Sequence, residues 1–167
     1  VDLPSSPIFF FDGSRHVSAS NRISEVFDHP AGRTLLCVED NPASLKLIKL
    51  FIAGYPDMRL LTAVNGNSGI QIARESRPEV ILMDINLPDI SGFKALEILR
   101  SDPATAQIPV IALSANTMPL NIESGLEAGF FRYLTKPIKA EEFKDALNAA
   151  LESAEKNASG AALRSSV

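Results

Sequence analysis

Polar residues of complementary chemistry stand directly after short apolar runs at four places in this sequence. Glu39 and Asp40 follow Thr34–Val38, Asp84 follows Val80–Met83, Ser114 follows Val110–Leu113, and Thr135 with Lys136 follows Phe131–Leu134. Three carboxylates brought to one rim repel each other unless a hard cation is present, and Mg²⁺ prefers oxygen ligands, often one or two carboxylates with water and phosphate. Two of the three can hold such an ion while the third acts as a nucleophile whose acyl phosphate shares it. The charge that gathers on the transferring oxygens is of the kind that a metal, the Lys136 ammonium and the Ser114 hydroxyl stabilise. Singly, each residue has a plainer role. Asp84 would serve as a turn former, Asp40 before Asn41-Pro42 as a helix cap, Ser114 as another cap, and Lys136 as a solvated surface charge. Their convergence favours the chemical reading, because independent caps need not supply complementary chemistry.

That convergence depends on the elements between them. Thr34–Val38 reads as a strand, and Pro42 then opens a helix with Leu45, Ile48, Phe51 and Ile52 on one face, ended by Gly54. Arg59–Val64 is the next strand and Ser68–Arg74 a short helix. Val80–Met83 is continuously apolar, as a strand buried on both faces requires. A helix follows Gly92 with Phe93, Leu96 and Leu99 in one stripe. Val110–Leu113 is a strand, Pro119–Ala128 a helix, Phe131–Leu134 the fifth strand, and Ala140–Leu151 a closing helix with Phe143, Leu147 and Leu151 four apart. Five strand–helix repeats with crossovers of this length predict a doubly wound α/β domain: a parallel sheet with helices on both faces and Val80–Met83 near its middle. Ligands of such sheets bind at the carboxyl edge of the strands, beside the point where the winding reverses.

Composition bounds the rest. A chain of 167 residues with 46 % apolar content supports one domain, with residues 32–155 as its body. Residues 1–31 read as a linker or N-terminal extension holding Pro4, Pro7, Pro30 and a sticky run, Ile8–Phe11; residues 156–167, with Ala158-Ser-Gly-Ala-Ala162, read as a tail. A net charge of −4 gives no reason to expect nucleic-acid binding. The lone Cys37 lies in an apolar run and reads as a buried small hydrophobe in a reducing, cytoplasmic setting. No apolar run approaches the ~18 residues that cross a bilayer, and the opening lacks the basic start of a signal peptide.

Four stretches resemble the response-regulator receiver domains: Leu35-Leu-Cys-Val-Glu-Asp-Asn-Pro42, Val80-Ile-Leu-Met-Asp-Ile-Asn-Leu-Pro-Asp-Ile-Ser-Gly92, Pro109-Val-Ile-Ala-Leu-Ser-Ala115 and Tyr133-Leu-Thr-Lys-Pro137. They occur in family order. The resemblance implies a five-stranded (βα)5 flavodoxin-like fold with strand order 2-1-3-4-5. It implies Mg²⁺ or Mn²⁺ held by Glu39, Asp40 and Asp84 with the Asn86 backbone carbonyl, and Asp84 as phosphoacceptor. It further implies Lys136 as phosphate contact before a cis Pro137, with Ser114 as hydroxyl switch and Tyr133 as aromatic switch. The implied partner is a phosphohistidine on a histidine kinase or phosphotransfer domain, with transfer catalysed by the domain itself and slow autodephosphorylation. A weak homodimer through the last helices and a hybrid sensor kinase as parent complete the expectation. Glu39 departs from the commoner Asp, Ser114 from the commoner Thr, and Phe130-Phe131 from the acidic residues frequent before the last strand; the two aromatics read as a local plug rather than a partner patch. Two other functions compete. A small-molecule metal-dependent phosphatase wants a second acid two residues beyond its nucleophile, where Asn86 stands, and a phosphorylation-independent interaction module would not need every reactive type.

Overall fold

Leu35–Val38 alternate between two apolar surfaces, and the whole architecture follows from that alternation. A computed structural model describes residues 26–27, 32–115 and 118–165. In chain order it contains β1 (Val26–Phe27), β2 (Arg33–Val38), α1 (Pro42–Ile52), β3 (Met58–Ala63), α2 (Gly66–Ser76), β4 (Val80–Asp84), α3 (Gly92–Ser101), β5 (Val110–Ser114), α4 (Pro119–Ala128), β6 (Arg132–Thr135) and α5 (Ala140–Ser165). The sheet runs β1-β3-β2-β4-β5-β6. Its five parallel strands, counted in order of appearance from β2, lie 2-1-3-4-5 as expected, and β4 sits between β2 and β5 with every residue buried.

Side chains of alternate residues enter opposite cores, as the pleat requires. Leu35, Cys37, Val80, Leu82, Ile111, Leu113 and Leu134 pack with Ile48 and Ile52 of α1 and with Phe143, Leu147 and Leu151 of α5. Leu36, Val38, Ile81, Met83, Val110 and Ala112 pack on the other face with Ile70, Ile72 and Ala73 of α2 and Ala95, Leu96 and Leu99 of α3. Cys37 belongs to the first core, where burial, with the nearby Glu39 carboxylate adding to it, pushes its thiol far above the ordinary range. The phenylalanine pair also divides between the faces. Phe130 is buried edge-on against Phe93 at 5.5 Å, whereas Phe131 packs toward the first core beneath the Arg132 guanidinium. This is the plug expected from the sequence.

Two features depart from expectation. Val26 and Phe27, both of strand-favouring type, pair antiparallel with Leu61 and Leu60, so a sixth strand covers part of the β3 edge. The sticky Ile8–Phe11 run lies outside the described residues. The last helix was expected to close at Leu151 and a tail to follow, but α5 runs to Ser165. Alanine is the best helix former, and Ala154, Ala158, Ala161 and Ala162 outweigh the roughly 1 kcal/mol that Gly160 costs. The extension is tied back where the Asn157 amide donates to the Gln107 carbonyl at 3.2 Å.

Caps set the helix starts. Asn41, not Asp40, caps α1, its side chain accepting from the amides of Ala43 and Ser44. Ser91 caps α3 through the Lys94 amide. α4 starts at Pro119 after Met118 with no side-chain cap, so Ser114 is not spent there.

Leu82 is fully buried between Cys37 and Ile111, and Leu50 is 65 % exposed on α1. Leu82→Ala should lower stability by about 2–5 kcal/mol in denaturant unfolding, whereas Leu50→Ala should stay within about 0.5 kcal/mol of wild type. Equal losses at the two positions would contradict the central placement of β4.

Candidate functional site

The pleat selects which side chains meet at the carboxyl edge. Cys37, Leu82 and Leu134 all point into the α1–α5 core. Carried two residues on, the same alternation brings Glu39, Asp84 and Lys136 to that side of the rim. They do meet there. Glu39 and Asp84 are buried, Asp40 is exposed, and one carboxylate oxygen of each lies within 4.8 Å of the others. Lys136 Nζ sits 2.6 Å from Glu39 Oε2 and donates to Asp84 Oδ2 at 3.2 Å.

Each carboxylate is held on its other side by backbone. Glu39 Oε1 accepts from the Asn41 amide at 3.0 Å, and Asp84 Oδ1 accepts from the Asn86 amide at 2.9 Å. Asp84 therefore does form the local turn that was its plainer expected role, with its other oxygen left facing Lys136. Burial pushes Glu39 up to about 7; the Lys136 ammonium and the Asn41 amide pull it back down, and the Asp84 carboxylate pushes with burial. Lys136 is itself raised: burial works against its charge, but the Glu39 and Asp84 carboxylates outweigh that. Although Glu39 Oε2 lies close to the ammonium, it is buried with no donor aligned on it as a hydrogen bond. Three acids facing one ammonium, with one buried oxygen so placed, fit a hard divalent cation. Glu39, Asp40 and Asp84 are the residues that could hold it. Asn86 is exposed beside them, its amide already engaged with Asp84.

Ser114 lies on the opposite parity, toward the α2–α3 face, buried at the end of β5. It pairs in register with Thr135, and its carbonyl accepts from the Lys136 amide at 2.7 Å, so the chain enters the lysine from a fixed point. The Lys136–Pro137 bond is cis, as the resemblance implied. Tyr133 pairs with Ala112 and packs on the same face as Ala112. Its ring lies over Gly125 of α4, where a Cβ would come within 2.7 Å of Cδ2.

Three further residues shape the site and were not singled out from the sequence. A Cβ on Gly92 would lie 2.6 Å from the Asp84 carbonyl oxygen, so only glycine lets α3 start against the β4 terminus. The Asp89 carboxylate accepts from the Gly66 and Asn67 amides, both at 2.8 Å. Burial would raise its pKa, but the amides of Asn67, Gly66 and Ile90 hold it below the usual range. Gly66, the third, leaves room for Ile90, whose Cγ1 a Cβ there would approach to 2.5 Å. Gly92 and Asp89 stood inside the quoted motif; their partners come from non-local packing that the motif does not reveal.

Comparison with known proteins places these features. A family model described as the response regulator receiver domain matches residues 35–148. The polar-differentiation response regulator DivK of Brucella anthropi is 36 % identical over 121 residues, covering 71 % of this chain and 96 % of DivK. The signal transduction histidine-protein kinase BarA of Escherichia coli K12 is 36 % identical over 114 residues, which is 68 % of this chain and 12 % of BarA. Among solved structures, the receiver domain of the sensor histidine kinase PA1611 from Pseudomonas aeruginosa PAO1, crystallised with a magnesium ion in its active site cleft, superposes with a TM-score of 0.66. It is 32 % identical, and the match covers 73 % of this chain and 99 % of that one.

The raised Glu39 carboxyl makes a signed prediction for the metal-free protein. A carboxyl that takes its proton more readily when folded stabilises the fold below its ordinary value of 4.5 and loses that contribution as pH rises through about 7. Across that window wild type should lose stability relative to Glu39→Gln, by an amount on the order of 1–3 kcal/mol. Denaturant unfolding of both proteins at the two ends of the window measures it; a wild type that gains on the variant as pH rises would refute the assignment.

Proposed function

The chain belongs to the response regulator receiver domain family, and we propose that it accepts a phosphoryl group on Asp84 from a phosphohistidine of a histidine kinase or phosphotransfer domain. It is a receiver domain of two-component signalling; the acceptor, the metal residues and the donor are the proposed part. The observation that carries the reading is the Asp84 carboxylate at the end of the central strand, gathered with the Glu39 and Asp40 carboxylates beside the Lys136 ammonium.

In this reading an Asp84 oxygen attacks phosphorus in line. The new O–P bond forms as the P–N bond of phosphohistidine breaks, and its electron pair returns to the imidazole. Lys136 holds its positive charge beside the oxygens of the arriving group, and the Asn86 amide keeps Asp84 oriented. Glu39 and Asp40, with Asp84 and the Asn86 carbonyl, would hold Mg²⁺ or Mn²⁺. When bound, the ion supplies charge neutralisation for the phosphoryl oxygens. Ser114 then turns its hydroxyl toward the phosphoryl group, and Tyr133 responds across the α4–β6–α5 face as a shift between two arrangements.

The competing readings find no support. Asn86 rather than an acid stands two residues beyond Asp84, and none of the described segments is large enough to enclose a small substrate. The reactive residue types are all present, as a phosphoacceptor needs and a bare interaction module does not.

Asp84→Asn preserves the shape and removes the nucleophile. After incubation with acetyl phosphate and Mg²⁺, or with a phosphorylated kinase domain, mass spectrometry should find an acid-labile phosphoryl group on Asp84 of wild type and none on the variant. Equal labelling of the variant, modification elsewhere, or rapid turnover of ordinary phosphomonoesters would overturn the assignment. Asp40→Ala should abolish saturable Mg²⁺ uptake while leaving the fold intact; an unchanged titration would remove Asp40 from the metal site.

A further inference from the structure

The first four amides of α2 are satisfied from two separate sources. Gly69 donates to the Asn65 carbonyl and Ser68 to the Asn65 side chain, which is an ordinary local cap. Gly66 and Asn67 instead donate to the Asp89 carboxylate, which arrives from a loop more than 20 residues away. That loop runs from Ile85 to Ser91, joining β4 to α3. Its two ends are fixed by backbone: the Ile85 amide donates to the Leu113 carbonyl at 2.9 Å and the Gly92 amide to the Ile85 carbonyl at 2.8 Å. Its first residues carry Asn86, whose amide holds Asp84 Oδ1. Between these points Asp89 ties the loop to α2, and Ile90 lies in the notch that Gly66 leaves beside it.

We propose that Asp89 is a positioning residue for the phosphoacceptor site, anchoring the Ile85–Ser91 loop to the N-terminus of α2 so that Asn86 keeps its place beside Asp84. The inference rests on the reading of Glu39, Asp40, Asp84 and Asn86 as the metal site. α2 does not need Asp89 in order to start, because Asn65 supplies the local cap and Asp89 and Asn67 are both exposed. Water can satisfy the amide of the exposed Asn67, so capping of the buried Gly66 amide accounts for only part of the contact. The loop has more to lose. Without the carboxylate its middle keeps only the apolar contacts of Leu87 and Ile90 with the core, and the Asn86 backbone sits three residues away. Asp89 thus supports the site as an outer partner supports a metal ligand, through a segment it restrains rather than by touching the ion.

The test separates positioning from simple stability. Mg²⁺ binding is followed by calorimetry in wild type, Asp89→Ala, Asp89→Asn, Gly66→Ala and Asn65→Ala at a temperature well below their melting points, with Asp40→Ala as reference. The Asn86 amide resonance is followed in the metal-free proteins. Asp89→Ala should weaken Mg²⁺ binding about tenfold and shift the Asn86 resonance. Asp89→Asn keeps one acceptor oxygen and should recover part of both. Gly66→Ala presses on Ile90 from the helix side and should reproduce the loss by an independent route, which decides the matter should Asp89→Ala not fold. Asn65→Ala removes the local cap of the same helix and should lower the melting temperature without weakening Mg²⁺ binding. Wild-type affinity with an unmoved Asn86 resonance in both Asp89→Ala and Gly66→Ala overturns the proposal, as does an equal loss of affinity in Asn65→Ala. No saturable uptake by wild type, or unchanged uptake by Asp40→Ala, overturns the site reading beneath it and is distinguished by the reference variant.

Discussion

One ammonium facing two buried carboxylates is the interaction on which the rest of this structure depends. Taking a charge out of water costs several kcal/mol unless it is paired and hydrogen-bonded, and here Lys136 pairs with both Glu39 and Asp84. The pairing needs strand ends that arrive in register. β6 must stop beside β5 so that the Lys136 amide meets the Ser114 carbonyl, and β4 must lie between β2 and β5 so that Asp84 is flanked by both. The apolar runs secure this, because a one-residue slip in any of them would send its polar terminus to the other face of the sheet. Yet the charges do not balance. Asp40 adds a third acid to the rim, and burial raises the Glu39 carboxyl toward neutrality, a cost that a divalent cation, if bound there as proposed, would relieve.

The central place of β4 and the gathering of Glu39, Asp40, Asp84, Ser114 and Lys136 at one edge were legible because each rests on a local signal, whereas the strand order came from the family resemblance. An apolar run of about five residues reads as a buried strand, and the polar residue after it lies at the strand's end. The division into two faces was equally legible in retrospect, since Glu39, Asp84 and Lys136 share one parity and Ser114 the other. What escaped the sequence depends on partners distant in the chain. Asp89 looks like any loop acid until the amides of Gly66 and Asn67 are seen beside it, and Gly125 looks like a weak point in a helix until the Tyr133 ring is found over it. The length of α5 was misjudged for a different reason. A glycine and a serine among alanines were weighted as breakers, although alanine propensity summed over the segment favours helix.

The two parities also explain how one rim can react and report. Asp84 and Lys136 face the side covered by α1 and α5, where the ion pairs are made. Ser114 and Tyr133 lie toward the other side; Tyr133 is the register partner of Ala112, two residues before Ser114 on the same strand face. A change in the Ser114 side chain is therefore felt first by its neighbours on that face, and Tyr133 is a diagonal neighbour there. The ring in turn rests on Gly125, which is buried while Leu126 beside it is exposed.

This arrangement constrains which parts of the domain can move. β4 and β5 are buried throughout and their backbones are paired on both sides, so under the role proposed for Asp84 a signal would leave it by some route other than a shift of the central strands. The softer elements are those with fewer buried side chains. Met118 and Leu126 at and on α4 are exposed and its start lacks a side-chain cap, whereas α2 and α3 each bury several apolar residues and carry capped starts. Among the described side chains of α4 only Gly125 is buried, and α4 is the helix on which the Tyr133 ring rests. The opposite holds for the loop that carries Asn86, which is pinned at both ends by backbone and in its middle by Asp89. The restraint lies beside Asp84 and the contact of Tyr133 with α4 lies on the other face, so that in the proposed reading orientation of the acceptor and response to its modification draw on different parts of one small sheet.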